Sequence, residues 1–244
     1  MNYLALVNRA MLEAGSTQAT SPLTTLQGTL PSLEATRFKG WVQDAWLTMQ
    51  IKRQQWNFLR QTIQWDTTIG QANYTLAQVY AAVNLLNTYP IATSLGGIRS
   101  YIHKTGRAST EGQAYADEQI LNYMDWSTFR NVYLYATQRT TQSRQVVWSE
   151  DPARTLWFAP VPNAVYRIEV ECELQPQMLS ADADAPLCPV EYHMAIVWKA
   201  LMDNYAGFES APEVLIRAGQ NYKQIMDPLE QQQLPPMQFG PPVA

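Results

Sequence analysis

The stretch from Asp182 to Gly207 sets the tightest limit on the fold: an acidic, proline-bounded loop runs directly into a long amphipathic helix. Pro186 and Pro189 stop any strand that reaches them, and Pro189 stands where a first helical residue needs no N–H partner. From Val190 to Ala206, Met194, Val197, Trp198, Leu201, Met202 and Tyr205 recur at spacings of three and four. On a 3.6-residue period this is one broad apolar face. Gly207 is the expected stop. The face needs cover, and the helix predicted from Ser32 to about Asn57 supplies it.

Ser32 is the expected N-cap of that second helix, with Glu34 placed for the helix dipole. Phe38, Val42, Ala45, Trp46, Met49 and Trp56 mark its buried side. Gly40 interrupts it at about 1 kcal/mol relative to Ala, a cost that a close helix crossing would explain. Asn2 to Ala14 reads as a shorter helix with Leu4, Val7 and Met11 on one face and Gly15 as its left-handed stop. Ser16 to Pro31 lacks a periodic apolar face, so it is expected to be mobile or to meet a partner. Ser210 and Glu213 form a capping box for a last helix despite Pro212, with Val214, Ala218, Tyr222 and Ile225 as its stripe. Beyond Leu229 the run of Gln and Pro, with Met237 and Phe239, predicts an extended tail that orders on a partner.

Between these helices the period falls from 3.6 to two. Ile63, Trp65, Thr67 and Ile69 share a face, then Gly70 and a run around Tyr74 and Leu76 complete a predicted β-hairpin. Ile98 to His103 reads as a strand, and Asp117 or a near neighbour as the cap of a short helix carrying Ile120, Leu121 and Met124. Gln145 to Ser149 and Thr155 to Phe158 are short strands joined by a turn. The clearest strand is the next: Tyr166, Ile168, Val170, Cys172 and Leu174 alternate with Arg167, Glu169, Glu171 and Glu173. Residues 77–97 and 105–131 have no single dominant period, the first mixing a helical-looking piece, Val79 to Leu86, with Tyr89, Pro90, Gly96 and Gly97. The fold class is therefore α+β: a helical bundle from 1–60 and 182–230, a β-rich insertion at 61–181, and an extended tail at 231–244. Trp46, Met49, Trp56, Met194, Trp198, Leu201, Tyr205 and Tyr222 are the expected bundle core.

Catalytic and metal chemistry find little support in these residues. Glu191 and His193 beside Cys188 are two apart, which on a helix points them roughly 200° from each other, and a capping His is the simpler role. Cys188 with His193 or His103 lacks a third orienting residue. Asp182 and Asp184 lack the Gly and distal Glu of a calcium loop. The row Glu169, Glu171, Glu173 is what the wet face of a strand predicts without catalysis. Two cysteines, Cys172 and Cys188, are too few for a four-Cys zinc site or a disulfide framework, and free thiols are expected. The expectation is a non-enzyme with no cofactor and no metal.

The net charge of −4 gives no sign of a protein that grips phosphates. No run approaches the roughly 18 apolar residues of a membrane span, and no export signal is expected at the N-terminus. Eight Trp and thirteen Tyr tilt the chain toward assembly, since large aromatics are enriched at interfaces.

Several residues together resemble the head-to-tail adaptor (connector) proteins of tailed bacteriophages. They are the helix from Arg37 to Phe58 ending in Trp56, Asn57 and Phe58, the run through Tyr74 to Leu76, and Trp157 to Pro160 leading to Tyr166 to Val170. Asp184, Pro186, Leu187, Pro189, Tyr192 and His193 entering the long helix carry it furthest. The resemblance spans Asn2 to about Leu229. It implies a structural virion protein of the neck, made in the host cytoplasm, whose homododecameric ring joins the portal to tail or nozzle proteins. It also implies that the ring continues the DNA channel without sequence-specific binding, and that the C-terminal segment docks on the portal. Here that segment is Gln231, Leu234, Pro235, Pro236, Met237 and Phe239. The competing reading is a β-rich tail or host-saccharide binding module built on residues 63–174.

Overall fold

The computed structural model describes residues 1–16, 22–28, 32–53, 55–86, 97–112 and 115–235. The fold is α+β, with helices toward both ends and a β-rich middle. It divides into two compact units, one of Met1–Leu59 and Gln175–Ala244, the other of Arg60–Thr93 and Gly97–Leu174.

In the helical unit, α1 (Tyr3–Ala14) starts where the Asn2 side chain accepts from the Ala5 N–H and ends at Gly15, whose φ of 71° a side chain would strain. Its Tyr3, Leu6, Val7, Ala10 and Met11 are buried. α2 (Leu33–Lys52) is capped by Ser32, whose hydroxyl accepts from the Ala35 N–H at 3.1 Å. It ends at Lys52 rather than near Asn57, because Arg53 is extended and the chain folds back. Trp56 then reaches the core from outside the helix, its indole N–H donating to the Met49 carbonyl at 3.2 Å and satisfying one of the helix's terminal acceptors. Gly40 does not mark a close crossing: a Cβ built there meets nothing within 4 Å.

Residues 22–28 are held rather than loose. The Asn8 amide donates to the Leu23 carbonyl and accepts from its N–H, and Leu23 and Leu26 are buried. The rest of the predicted mobile loop, 17–21 and 29–31, lies outside the described residues.

A 3-10 turn at Val190–Tyr192 leads into α5 (His193–Ala200). The helix continues as a π segment, Leu201–Tyr205, and closes as α6 (Ala206–Phe208). Gly207 thus lies inside the last turn, and Ser210, at φ 51°, is the residue that breaks it. That conformation also removes Ser210 from the expected capping box. α7 (Pro212–Gln233) starts on Pro212, with no side-chain cap at Ala211.

α7 runs through Pro228 to Gln233, further than the tail prediction allowed. Pro228 costs a backbone bond, but Met226 and Leu229 are buried beside it and Glu230 pairs with Lys52 and Arg53 at 3.3 and 3.1 Å. Those anchors hold the last turn. α1, α2, α5 and α7 share one core that includes Trp46, Met49, Trp56, Trp198, Leu201 and Tyr222, with Met194 and Tyr205 half-buried against it. No helix among the described residues is long and apolar enough to cross a membrane.

In the β-rich unit, the nine-residue β11 (Tyr166–Leu174) alternates buried and half-buried at every position. β1 (Arg60–Asp66) pairs with it antiparallel, setting Ile63 opposite Val170 and Trp65 opposite Ile168. β3 (Ile98–Tyr101) and β4 (Arg107–Thr110) also pair with β11, and β5 (Gln119–Ile120) extends the sheet from β4. The predicted strand at 98–103 therefore stops at Tyr101.

A second sheet has the order β2 (Asn73–Tyr74), β9 (Leu156–Ala159), β8 (Val147–Glu150) and β6 (Asn122–Tyr123). β7 (Gln142–Ser143) and β10 (Val161–Pro162) form a short parallel pair. The predicted hairpin is absent: β1 and β2 belong to different sheets, and Ile69 is exposed. After Thr67 the chain is drawn away, as the Gly70 N–H donates to the Pro162 carbonyl and the Tyr74 hydroxyl accepts from the Thr68 N–H.

α3 (Leu76–Leu86) occupies the start of the stretch that had no dominant period; its continuation, 87–96, lies outside the described residues. The helix expected from Asp117 is replaced by β5 and β6. Asp117 instead accepts from the Thr110 N–H, and Asp125 caps α4 (Trp126–Tyr133), accepting from the Ser127 N–H at 3.0 Å.

Candidate functional site

The residues with chemical potential are absorbed into structure. His193 is buried, with Nε2 at 3.0 Å from the Cys188 carbonyl and Nδ1 at 2.7 Å from the amine of Met1. A carbonyl can only accept, so Nε2 carries the proton and Nδ1 accepts. Burial lowers the His193 pKa below its ordinary value. Cys172 and Cys188 are free and buried, their thiols pushed up to about 12 by desolvation. Such thiols are poor nucleophiles at neutral pH.

The acidic loop is a clamp. Asp182 accepts from the Thr25 hydroxyl and the Leu26 N–H at 2.6 and 2.9 Å, and Asp184 accepts from the N–H groups of Ser180 and Ala181 at 2.7 Å. The bonds from Thr25 and Leu26 hold the Asp182 carboxyl below its usual range. The glutamate row is likewise occupied: Glu169 accepts from the Gln64 amide, Glu171 lies 3.7 Å from Arg60, and Glu173 accepts from the Ser100 hydroxyl at 3.0 Å. Glu191 is exposed, and His103 lies in the β-rich unit, stacked on Tyr123 with ring centroids 3.5 Å apart. Among the described residues no three His, Cys, Asp or Glu side chains converge as a metal site.

What the helical unit offers instead is a surface. A groove of about 370 Å³ is lined by Gly15, Ser16, Glu34, Arg37 and Glu209, with Phe38, Trp41, Tyr205 and Phe208 as its aromatic wall. Phe38 meets Trp41 edge-on at 5.0 Å, and Trp41 lies 5.8 Å from Phe208. The Arg37 guanidinium sits 4.3 Å over the Phe208 ring.

The π segment builds this wall. One extra residue per turn between Leu201 and Tyr205 shifts the phase of everything after it, which brings Tyr205 and Phe208 onto the Phe38 side. The Tyr205 hydroxyl donates to the Ala14 carbonyl at 3.0 Å, fixing the ring. Sequence reasoning placed Tyr205 in the bundle core and missed Trp41, Arg37 and Phe208. No local signal marked the change, since Phe208 follows Tyr205 at the same spacing of three.

Of the predicted docking tail, Gln231 is helical in α7, Leu234 is the residue that ends that helix, and Pro235 follows it. Pro236, Met237 and Phe239 lie outside the described residues.

The family model of the SU10 adaptor protein matches the chain over residues 1–240. No curated protein matches it.

Proposed function

The chain belongs to the SU10 adaptor protein family of phage head-to-tail adaptors, and on that premise we propose that twelve copies form a ring between portal and tail. The observation that carries this is the extent of the match, which includes both units rather than one of them. In this reading the protein is structural and non-enzymatic and sits in the virion neck after synthesis in the host cytoplasm. Its partners are further copies of itself, the portal protein, and tail or nozzle proteins. The ring continues the DNA channel and does not read sequence.

The charge of the chain supports the last point. An acidic subunit repeated round a ring repels phosphates, so DNA passes without being trapped. Steep salt dependence of DNA retention by the isolated ring would count against it. The C-terminal segment is rich in Pro and Gln and carries Met237 and Phe239, which suits docking on the portal.

Mixing the purified chain with portal rings tests the whole reading. Twelve copies per portal are expected by mass measurement; another copy number overturns the dodecamer, and absence of any complex overturns the portal contact. Truncation after Pro235 spares the last turn of α7 and should weaken docking while the fold stays intact; unchanged docking would remove the tail from the contact.

A further inference from the structure

We propose that neighbouring copies meet head to tail, the arm around Tyr135 and Arg139 of one copy seating in the acid-rimmed aromatic groove of the next. This rests on the ring reading above and names the surfaces that would close it.

The groove is built to receive a cation. Glu34 and Glu209 stand on its rim and form no ion pair among the described residues. Arg37 is committed to the Phe208 face. Both carboxylates line the groove together with Tyr205; burial, and then Glu209 and Glu34, raise its hydroxyl above the ordinary range. Phe208 is 52% exposed at the lip, and Leu33, beside Glu34, is 66% exposed. A guanidinium entering such a pocket gains aromatic faces and carboxylate acceptors together.

The arm is the complementary piece. From Trp126 to Ser149 the sequence has no Asp or Glu but carries Arg130, Arg139 and Arg144. Arg144 is spent inside the β-rich unit, pairing with Asp117 at 3.3 Å and donating to the Ala108 carbonyl at 2.8 Å. Arg130 and Arg139 have no side-chain partner among the described residues, whereas most other arginines of the chain are paired or stacked.

Residues 135–143 are exposed without interruption, and Tyr135 is 74% and Val132 48% exposed. The arm is nevertheless held at both ends: Phe129 is fully buried, and β7 pairs with β10. A fixed projection of Arg and Tyr is what protein interfaces favour. Its charge is opposite to that of the groove. Contact between two different patches is the heterologous kind, which generates rings when the rotation closes.

The test is charge reversal with rescue, on the full chain mixed with portal rings. R139E and E209R are both surface changes, and far-UV circular dichroism confirms that each folds. Each alone should weaken assembly by about tenfold or more, and the pair together should recover most of it. Wild-type assembly by either single variant overturns the proposal, as does a double variant no better than the worse single one. A defect in R139E without one in E209R also overturns it, and points to DNA phosphates as the arm's target.

If the wild-type chain does not gather on portal at all, the ring reading fails and a second measurement still decides the contact. R139C and E209C chains are mixed at high concentration with a short bis-maleimide, whose reach covers the span of an Arg–Glu pair. A cross-linked heterodimer is expected; its absence overturns the contact. The native cysteines are buried with raised pKa, so they do not compete.

Discussion

β11 in one unit and the run from α5 through α6 in the other are both central to their cores, yet one keeps its burial alternation to the last residue, through a register shift against β3 at Glu173 and Leu174, while the other changes its helical geometry. Along β11 every second residue is buried, as its sequence alternation requires. From His193 to Phe208 the backbone changes from α to π and back, although the apolar residues recur smoothly through it. The difference lies in tolerance. A strand's period is fixed at two, and a slip of one residue turns its whole apolar set to solvent. A helix absorbs an extra residue as a bulge, rotating the residues beyond it by a fraction of a turn.

That contrast is broken most severely by changing the length of each element. Inserting one Ala between Glu169 and Val170 should abolish folding of the β-rich unit, seen as loss of its cooperative transition in thermal unfolding. Deleting Asp203 should leave the helical unit folded while moving Tyr205 and Phe208 off Trp41, read as a shift in Trp fluorescence that W41F abolishes. If both changes are equally damaging, the π segment is as rigidly specified as the strand.

Next in size is Trp46→Ala, at about 3 to 5 kcal/mol by denaturant unfolding, since the ring is fully buried. Trp198 is 9% exposed under Arg217, so the same change there should cost less. Gln50→Ala should cost about 1 to 3 kcal/mol, because its amide donates to the Gln177 carbonyl at 3.0 Å and accepts from the Gln177 N–H at 2.7 Å in the buried interior. A loss near zero would mean that water takes over both bonds.

The smallest effect is in pH. Burial depresses the His193 pKa, so below its ordinary value of 6.5 the unfolded chain binds the proton that the folded chain resists. Stability should therefore be complete above about pH 6.5 and decline as pH falls below it, and His193→Gln should flatten that part of the curve. An unchanged slope in this variant would assign the decline to other groups.

Much of the fold was legible because it rests on local rules. Ser32 caps α2, Gly15 ends α1, and β11 follows its alternation. The errors fall where a distant partner overrode the local pattern. Trp56 continued the helical spacing but is held by the Met49 carbonyl after the chain has turned, and Pro228 was outweighed by the burial of Leu229 and the Glu230 ion pairs. By local pattern the run around Tyr74 completes a hairpin with Ile63 to Ile69, whereas its strand pairs with residues some eighty positions on. The aromatic groove was illegible for the same reason: it depends on α1, α2 and the turn after the π segment converging, and no single stretch encodes that.

The direct pairing of Arg60 with Glu173 also bears on how the chain folds. Cα atoms opposite each other in an antiparallel pair are about 5 Å apart, so the folded β-rich unit presents its two ends as neighbours. To the helical unit, residues 60–174 then count as a short loop instead of one on the order of 100 residues, a difference in closure entropy of roughly 4 kcal/mol. Completion of the β1 and β11 ladder thus acts on the helices as a cross-link would, and the two units gain stability from each other through chain connectivity alone.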